Sequence, residues 1–125
     1  MKFRTATLLS AAALLVLAAV AAPPDFIGTW IGKTEVPDQG VDDITMIIKK
    51  TDSGLAGTIV DTMGLIAPET PLAGIKINGN VMTFQFPLVD GATVTNTVKM
   101  EGEKLTGSWE HPEGSTGAFV FERKK

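Results

Sequence analysis

The chain has no cysteine, no tyrosine and a single histidine. Without cysteine there is no disulfide framework, thiol nucleophile, zinc–thiolate site or lipid-modified cysteine. A domain of this size must then be held together by its own core. The lone histidine, His111, lies in "EHPEG" (Glu110 to Gly114), where Pro112 and Gly114 mark a turn. Glu110, His111 and Glu113 match no established ligand spacing, so the stretch reads as a solvated hairpin loop rather than a metal centre. Serine is scarce beyond the N-terminal region, and none sits in a G-x-S-x-G elbow. No catalytic residue, metal site or cofactor is expected, and the reading is non-enzymatic. There is also no basic stripe: the charged residues are interspersed apart from the terminal Arg123-Lys124-Lys125, which argues against nucleic-acid binding.

Only one long apolar run is present. "MKFRTATLLSAAALLVLAAVAAPPDF" places Lys2 and Arg4 ahead of the uncharged stretch Ala6 to Ala19, and Ala19, Ala21 and Ala22 offer small residues at a cleavage site. That order is the pattern of a secretory signal peptide. The expectation is a signal over residues 1–22 and one domain over residues 23–125, secreted or periplasmic, without stable membrane insertion of the mature part. The whole chain carries a net charge of -3; setting Lys2 and Arg4 aside leaves 9 of its 11 basic residues against 14 acidic ones, a balance of -5. An acidic balance of this kind favours solubility.

Beyond Asp25 the dominant signal is alternation with period two, broken by turn residues every dozen positions or so. Strands are expected near Ile27–Val36, Ile44–Lys50, Leu55–Val60, Leu72–Ile77, Asn80–Phe86, Ala92–Met100, Lys104–Glu110 and Gly117–Arg123. The fold class this implies is all-β: a single small antiparallel up-and-down β-barrel of about eight strands. A phrase is written twice: "KKTDSGLAGTIV" (Lys49 to Val60) and "KMEGEKLTGSWE" (Lys99 to Glu110) align Leu55 with Leu105 and Gly57 with Gly107. Each reads as a hairpin with a four-residue loop, pairing Ile48 with Gly57 and Met46 with Ile59 in the first copy. The second copy pairs Met100 with Leu105, Val98 with Gly107 and Asn96 with Trp109. Between them, Asn78-Gly79 reads as a type I′ turn pairing Ile77 with Asn80, Ile75 with Met82 and Ala73 with Phe84. These registers put Trp30, Met46, Leu55, Ile75, Ile77, Phe84, Val98, Trp109, Phe119 and Phe121 on one inner face and a threonine-rich set on the other. Gly57 and Gly107 then point inward, where glycine permits a kink or the close approach of a large neighbour.

"GTW" (Gly28, Thr29, Trp30) on the first strand and "FVFERKK" at the end resemble the pattern of lipocalins and of short secreted bacterial lipocalin-like domains, which are calycin-type barrels. The resemblance implies that Trp30 crosses the closed end of the barrel and that Arg123 packs over it. The second T-D-Y-type motif and the disulfide of lipocalins are absent, so the resemblance transfers no ligand.

Two features stand out as candidates for binding. Asn96 is a polar residue on the inner face, and a buried amide without partners costs about 1–3 kcal/mol. Either it anchors a ligand, or the indole N–H of Trp109 or ordered water satisfies it. The loop "DTMGLIAPETP" (Asp61 to Pro71) carries Met63, Leu65 and Ile66, as a lid or partner patch or as a plug on the core. The many large inner side chains favour a largely filled interior with at most a shallow pocket at one end. Met63, Leu65, Ile66, Asn96 and Trp109 are accordingly the expected ligand-binding residues, for a small apolar molecule at the barrel mouth. The alternative is a protein-interaction or structural module with a filled barrel, its partner unidentified.

Overall fold

The structure, a computed structural model, describes residues 25–125; the signal sequence expected over residues 1–22 lies outside them. Nine strands follow one another: β1 (Gly28–Val36), β2 (Gly40–Thr51), β3 (Gly54–Asp61), β4 (Thr70–Pro71), β5 (Ala73–Asn78), β6 (Val81–Pro87), β7 (Thr93–Glu101), β8 (Lys104–Glu110) and β9 (Thr116–Arg123). Among the described residues there is no helix. The strands form one antiparallel sheet in the order β4-β3-β2-β1-β9-β8-β7-β6-β5. Every pair of consecutive strands except β4 and β5 is therefore adjacent in the sheet, and the first strand pairs with the last. The sheet curls until its two margins, β4 and β5, are joined by the single residue Leu72, whose N–H continues the ladder onto the Gly57 carbonyl at 2.9 Å. The result is a nearly closed barrel, with the expected up-and-down order and one strand more than the sequence suggested, the two-residue β4.

Both copies of the repeated phrase are hairpins in the expected register. Ile48 faces Gly57 and Met46 faces Ile59; Met100 faces Leu105, Val98 faces Gly107 and Asn96 faces Trp109. The middle hairpin differs. Asn78 pairs with Val81 and Ile77 with Met82, so the loop residues are Gly79-Asn80, and only Gly79 takes a positive φ, 63°. Glycine at the first central position marks a type II′ rather than a type I′ turn. A bulge between Ala73 and Lys76, where Gly74 adopts φ 60°, then pairs Ala73 with Gln85 instead of Phe84. Ile77, expected inside, lies on this marginal strand and is 43% exposed, and Ile75 and Leu55 are half-buried against the core rather than within it.

The remaining inner face is as dry as the alternation implied. Trp30, Met46, Ile48, Ile59, Met82, Phe84, Val98, Leu105 and Phe121 are all buried, joined by Phe26 and Ile66 from outside the strands. Glycines make room for the largest rings. Gly32 sits opposite Phe121, and a Cβ there would strike the Phe121 ring; Gly117 sits opposite Trp109, and a Cβ there would strike the indole. Burying an aromatic over a glycine lets a narrow barrel hold side chains it otherwise has no width for.

One end is plugged as the lipocalin-like pattern implied. The Trp30 indole N–H donates to the Phe26 carbonyl at 2.9 Å, and the Arg123 guanidinium lies 4.3 Å from the Trp30 ring centroid. Arg123 also donates from Nη1 to the Ile27 carbonyl at 2.6 Å, from Nη2 to the Asp25 carbonyl at 2.8 Å and from Nε to Glu103. The chain entering β1 is thus tied to the chain leaving β9. The opposite end is formed by the β1–β2, β3–β4, β6–β7 and β8–β9 loops.

Candidate functional site

A cavity of about 330 Å³ opens at this second end. Its walls follow from strand parity. Ile44 on β2, Phe86 on β6, Val94 on β7, Trp109 on β8 and Phe119 on β9 each occupy the last inward position or two before a loop. There the barrel has no plug comparable to Trp30. Leu65 and Ile66 close one side from the β3–β4 loop, and His111 and Glu113 stand at the rim.

Two polar side chains reach into this apolar space. Thr34 on β1 is 7% exposed; its hydroxyl donates to the Ala118 carbonyl at 2.7 Å and accepts the Trp109 indole N–H at 2.7 Å. Asp42 on β2 is only 2% exposed. Its Oδ1 accepts from the Thr62 N–H at 3.2 Å, the Thr62 hydroxyl at 3.3 Å and the Met63 N–H at 3.0 Å. Its one further hydrogen-bond partner among the described residues is the carboxyl of Asp61. Asp61, diagonally across from it on β3, accepts from the Leu65 N–H at 3.0 Å and the Ile66 N–H at 3.1 Å. Two aspartates therefore hold the β3–β4 loop by four of its backbone N–H groups. A further bond, from the Val89 N–H to the Leu65 carbonyl at 2.9 Å, ties that loop to the one between β6 and β7. Burial, and then the hydrogen bond to the neighbouring Asp61 carboxyl, push the Asp42 carboxyl up from 3.8 to about 6, the Met63 N–H pulling against them.

The five expected site residues separate into two groups. Leu65, Ile66 and Trp109 come together on the cavity wall. The loop packs its Ile66 onto the core beside the cavity: Ile66 is 4% exposed and belongs to the core cluster. Met63 does not line the cavity; its side chain turns toward Gly40, where its methyl lies 3.9 Å from the position of an added Cβ. Asn96 does not line it either. Its side chain is wholly buried deeper in the barrel, with Nδ2 donating to the Phe84 and Val94 carbonyls at 3.2 Å each. The expected bond from the Trp109 indole is absent, because Gly117 on the other side of Trp109 leaves room for the ring to swing toward Thr34. Asn96 Oδ1 consequently has no partner among the described residues.

Sequence reasoning missed Asp42 and Thr34. Asp42-Asp43 reads as a charged strand start that protects an edge, whereas β2 begins at Gly40 and so places Asp42 two residues before Ile44 on the inner face. Asp43 alone points out, where it pairs with Lys33 at 3.4 Å. The available signal was parity, since Asp42 shares it with Ile44, Met46 and Ile48.

Solved structures of similar shape are small barrels. A redesigned β-barrel superimposes with a TM-score of 0.63 at 13% identity, covering 79% of this chain and 91% of that one. A de novo designed fluorescence-activating β-barrel gives 0.56 at 16%, covering 79% and 94%. A variant of the fluorescent protein UnaG gives 0.50 at 15%, covering 80% and 96%. At such identities the likeness is one of fold. No protein-family model matches the chain, and no curated protein does.

Proposed function

We propose that this protein is a non-enzymatic binding module that holds a small apolar molecule in the cavity at the open end of its barrel. The carrying observation is the cavity itself: about 330 Å³, walled by Ile44, Ile66, Phe86, Val94, Trp109 and Phe119, with only Thr34 and Asp42 supplying buried polar groups. Ligand pockets in proteins have this make-up, a mostly hydrophobic and aromatic lining with a few fixed polar atoms, and begin at about this size. A fluorescence-activating barrel of the same fold fits the reading. The N-terminal run through Ala22 supports export, which would put the module outside the cytoplasm.

A ligand that binds only the folded state raises its melting temperature. We expect small apolar compounds to do so, and the rise to vanish in Ile66→Trp, where an indole fills the space. Mass spectrometry of molecules that co-purify with the protein would identify the natural occupant. If no compound raises the melting temperature and Ile66→Trp behaves as the wild type throughout, the cavity is not a binding site.

A second reading, a protein-interaction module, has one observation in its favour. Ile31 and Val120 are 44% and 50% exposed on the outer face of adjacent strands β1 and β9. Substituting both with threonine would then abolish partner capture while leaving small-molecule binding intact.

A further inference from the structure

The cavity has a definite electrostatic character. Among the described residues its acidic side chains are Asp42, Asp90 and Glu113, and no lysine or arginine lines it. The only other titratable group on its wall is His111, whose Nδ1 accepts the Glu113 N–H at 3.1 Å. From β3 the carboxyl of Asp61 faces Asp42; on the outer side Lys33 is engaged with Asp43. An anionic head group would enter this mouth against carboxylates and find no cation to meet it. A cation would meet the opposite situation.

Asp42 supplies the second, independent observation. It is a carboxyl only 2% exposed, and among the buried residues of the cavity wall the only other polar side chain is Thr34, whose hydroxyl is already engaged. Its N–H and hydroxyl donors all converge on Oδ1, and its one further partner is not a cation but the Asp61 carboxyl. Behind it lies another carboxyl, so the pair shares a site where one added positive charge relieves both burial and like-charge repulsion. Phe86, Phe119 and Trp109 stand around the same space and present aromatic surface, which attracts cations as well as hydrocarbon.

We infer that the ligand is an apolar molecule bearing a cationic amine, its hydrocarbon part against Phe86, Phe119 and Trp109 and its ammonium on the Asp42–Asp61 carboxyl pair. This rests on the cavity being a binding site, and it names the class of ligand the site takes. Allowing about 30 Å³ for an atom-sized group such as water, the cavity holds on the order of ten non-hydrogen atoms. A medium-chain alkylamine is of that size. At low pH the pair holds a proton where the ammonium would sit, so amine binding displaces that proton and strengthens as pH rises.

The test uses three probes of one skeleton, n-octylamine, octan-1-ol and octanoate, titrated calorimetrically into the purified protein at pH 7.5 and pH 5. We expect octylamine to bind at least tenfold more tightly than octanoate at pH 7.5, with octanol between them, because a charge-assisted hydrogen bond in a dry site outweighs a neutral one. The advantage of amine over alcohol should shrink at pH 5. Asp42→Asn should reduce the amine-to-alcohol affinity ratio about tenfold, and Asp61→Asn serves if the first variant does not fold. Octanoate binding as tightly as octylamine, or an amine-to-alcohol ratio unchanged in whichever variant folds, overturns the assignment of a cation while the cavity stands as a binding site. If none of the three binds the folded wild type, the binding reading itself falls and this inference with it.

Discussion

Gly57 and Gly107 occupy matched places in the two copies of the repeated hairpin, yet alanine should have very different effects at the two. Neither needs a positive φ, so alanine is allowed by the backbone and the outcome depends on space. A Cβ on Gly107 would collide with the Thr97 carbonyl oxygen and stand 2.7 Å from the Val98 Cα. Both belong to the backbone of the paired strand β7, and carbon atoms in good contact sit about 3.5–4.0 Å apart. Neither atom can retreat without opening the β7–β8 ladder. A Cβ on Gly57 would stand 2.7 Å from the Ile47 carbonyl oxygen, 2.9 Å from Leu72 Cδ1 and 3.0 Å from Ile48 Cδ1. Two of those three are methyl groups that rotate away.

Overpacking a core costs about 1–3 kcal/mol, and the backbone collision puts Gly107→Ala at the upper end of that range or beyond it. Against this stands the gain of up to about 1 kcal/mol from the reduced freedom of the unfolded chain. The net expectation is a loss of at least about 2 kcal/mol for Gly107→Ala and a smaller one, about 1–2 kcal/mol, for Gly57→Ala, where one backbone oxygen still stands close. For a domain whose whole stability is about 5–15 kcal/mol, the first is a drop of about 8–16 °C in melting temperature. Urea unfolding followed by tryptophan fluorescence measures both, with an unchanged m-value as the sign that the transition stays two-state. A loss below about 1 kcal/mol at Gly107, or a larger loss at Gly57 than at Gly107, would refute the argument from close approach.

Four further expectations follow from named contacts. Arg123→Lys should lose about 1–2 kcal/mol in urea unfolding, and Arg123→Ala more, because an ammonium cannot cover Trp30 and reach the Asp25 and Ile27 carbonyls together. Thr34→Val should cost about 1–3 kcal/mol by stranding the buried Trp109 N–H, and Trp109→Phe made on top of it should cost less than it does alone, a coupling that a double-mutant cycle reads directly. Asn96→Val should raise thermal stability by about 1 kcal/mol, since it removes an acceptor with no partner; a fall of the same size would show that the two bonds from Nδ2 matter more. The raised Asp42 carboxyl favours the folded state most below its unfolded value of 3.8, and that contribution is lost as pH rises through about 6. The wild type should therefore gain stability relative to Asp42→Asn as pH falls from 7 toward 4 in urea unfolding, and a difference that stays flat would count against a buried, protonated Asp42.

The registers of the two repeated hairpins were legible because the expected four-residue loops centre the pairing correctly, although the ladders continue through Thr51–Gly54 and Glu101–Lys104 and leave loops of only two residues. The middle hairpin was not, because "NGN" offers two overlapping two-residue loops. Asn78-Gly79 and Gly79-Asn80 differ by a two-residue slide along the partner strand. Such a slide preserves the face of every side chain, so hydrophobic pattern cannot choose between them. It does change depth: Ile77 comes level with Met82 and is left on the margin of the sheet. The bulge at Gly74, invisible to periodicity, then turns Ala73 outward.

The polar part of the site was hidden for a related reason. Alternation locates the strands, and the second is expected to begin only at Ile44, which leaves Asp42 outside it; Thr34 lies within the expected first strand but does not stand out there as an apolar inward residue would. Asp42 and Thr34 obey the parity of their strands and fail only in hydrophobicity. In a barrel with a plugged end and an open end this failure is informative in itself. Near the Trp30 plug the carbonyl that reaches inward, that of Phe26, is taken by the Trp30 indole N–H, and no loop N–H is offered to a carboxyl as at the mouth. Near the mouth the loops supply backbone N–H groups that make a buried carboxyl affordable, as Thr62 and Met63 do for Asp42. An inward polar residue within two positions of a strand end, where the loop of a neighbouring strand reaches it, is therefore a better guide to the site than an apolar residue in the loop itself. By that criterion Asp42 outranks Met63, and Asn96, three positions into β7 and out of reach of the loops, belongs to the barrel interior rather than to the cavity.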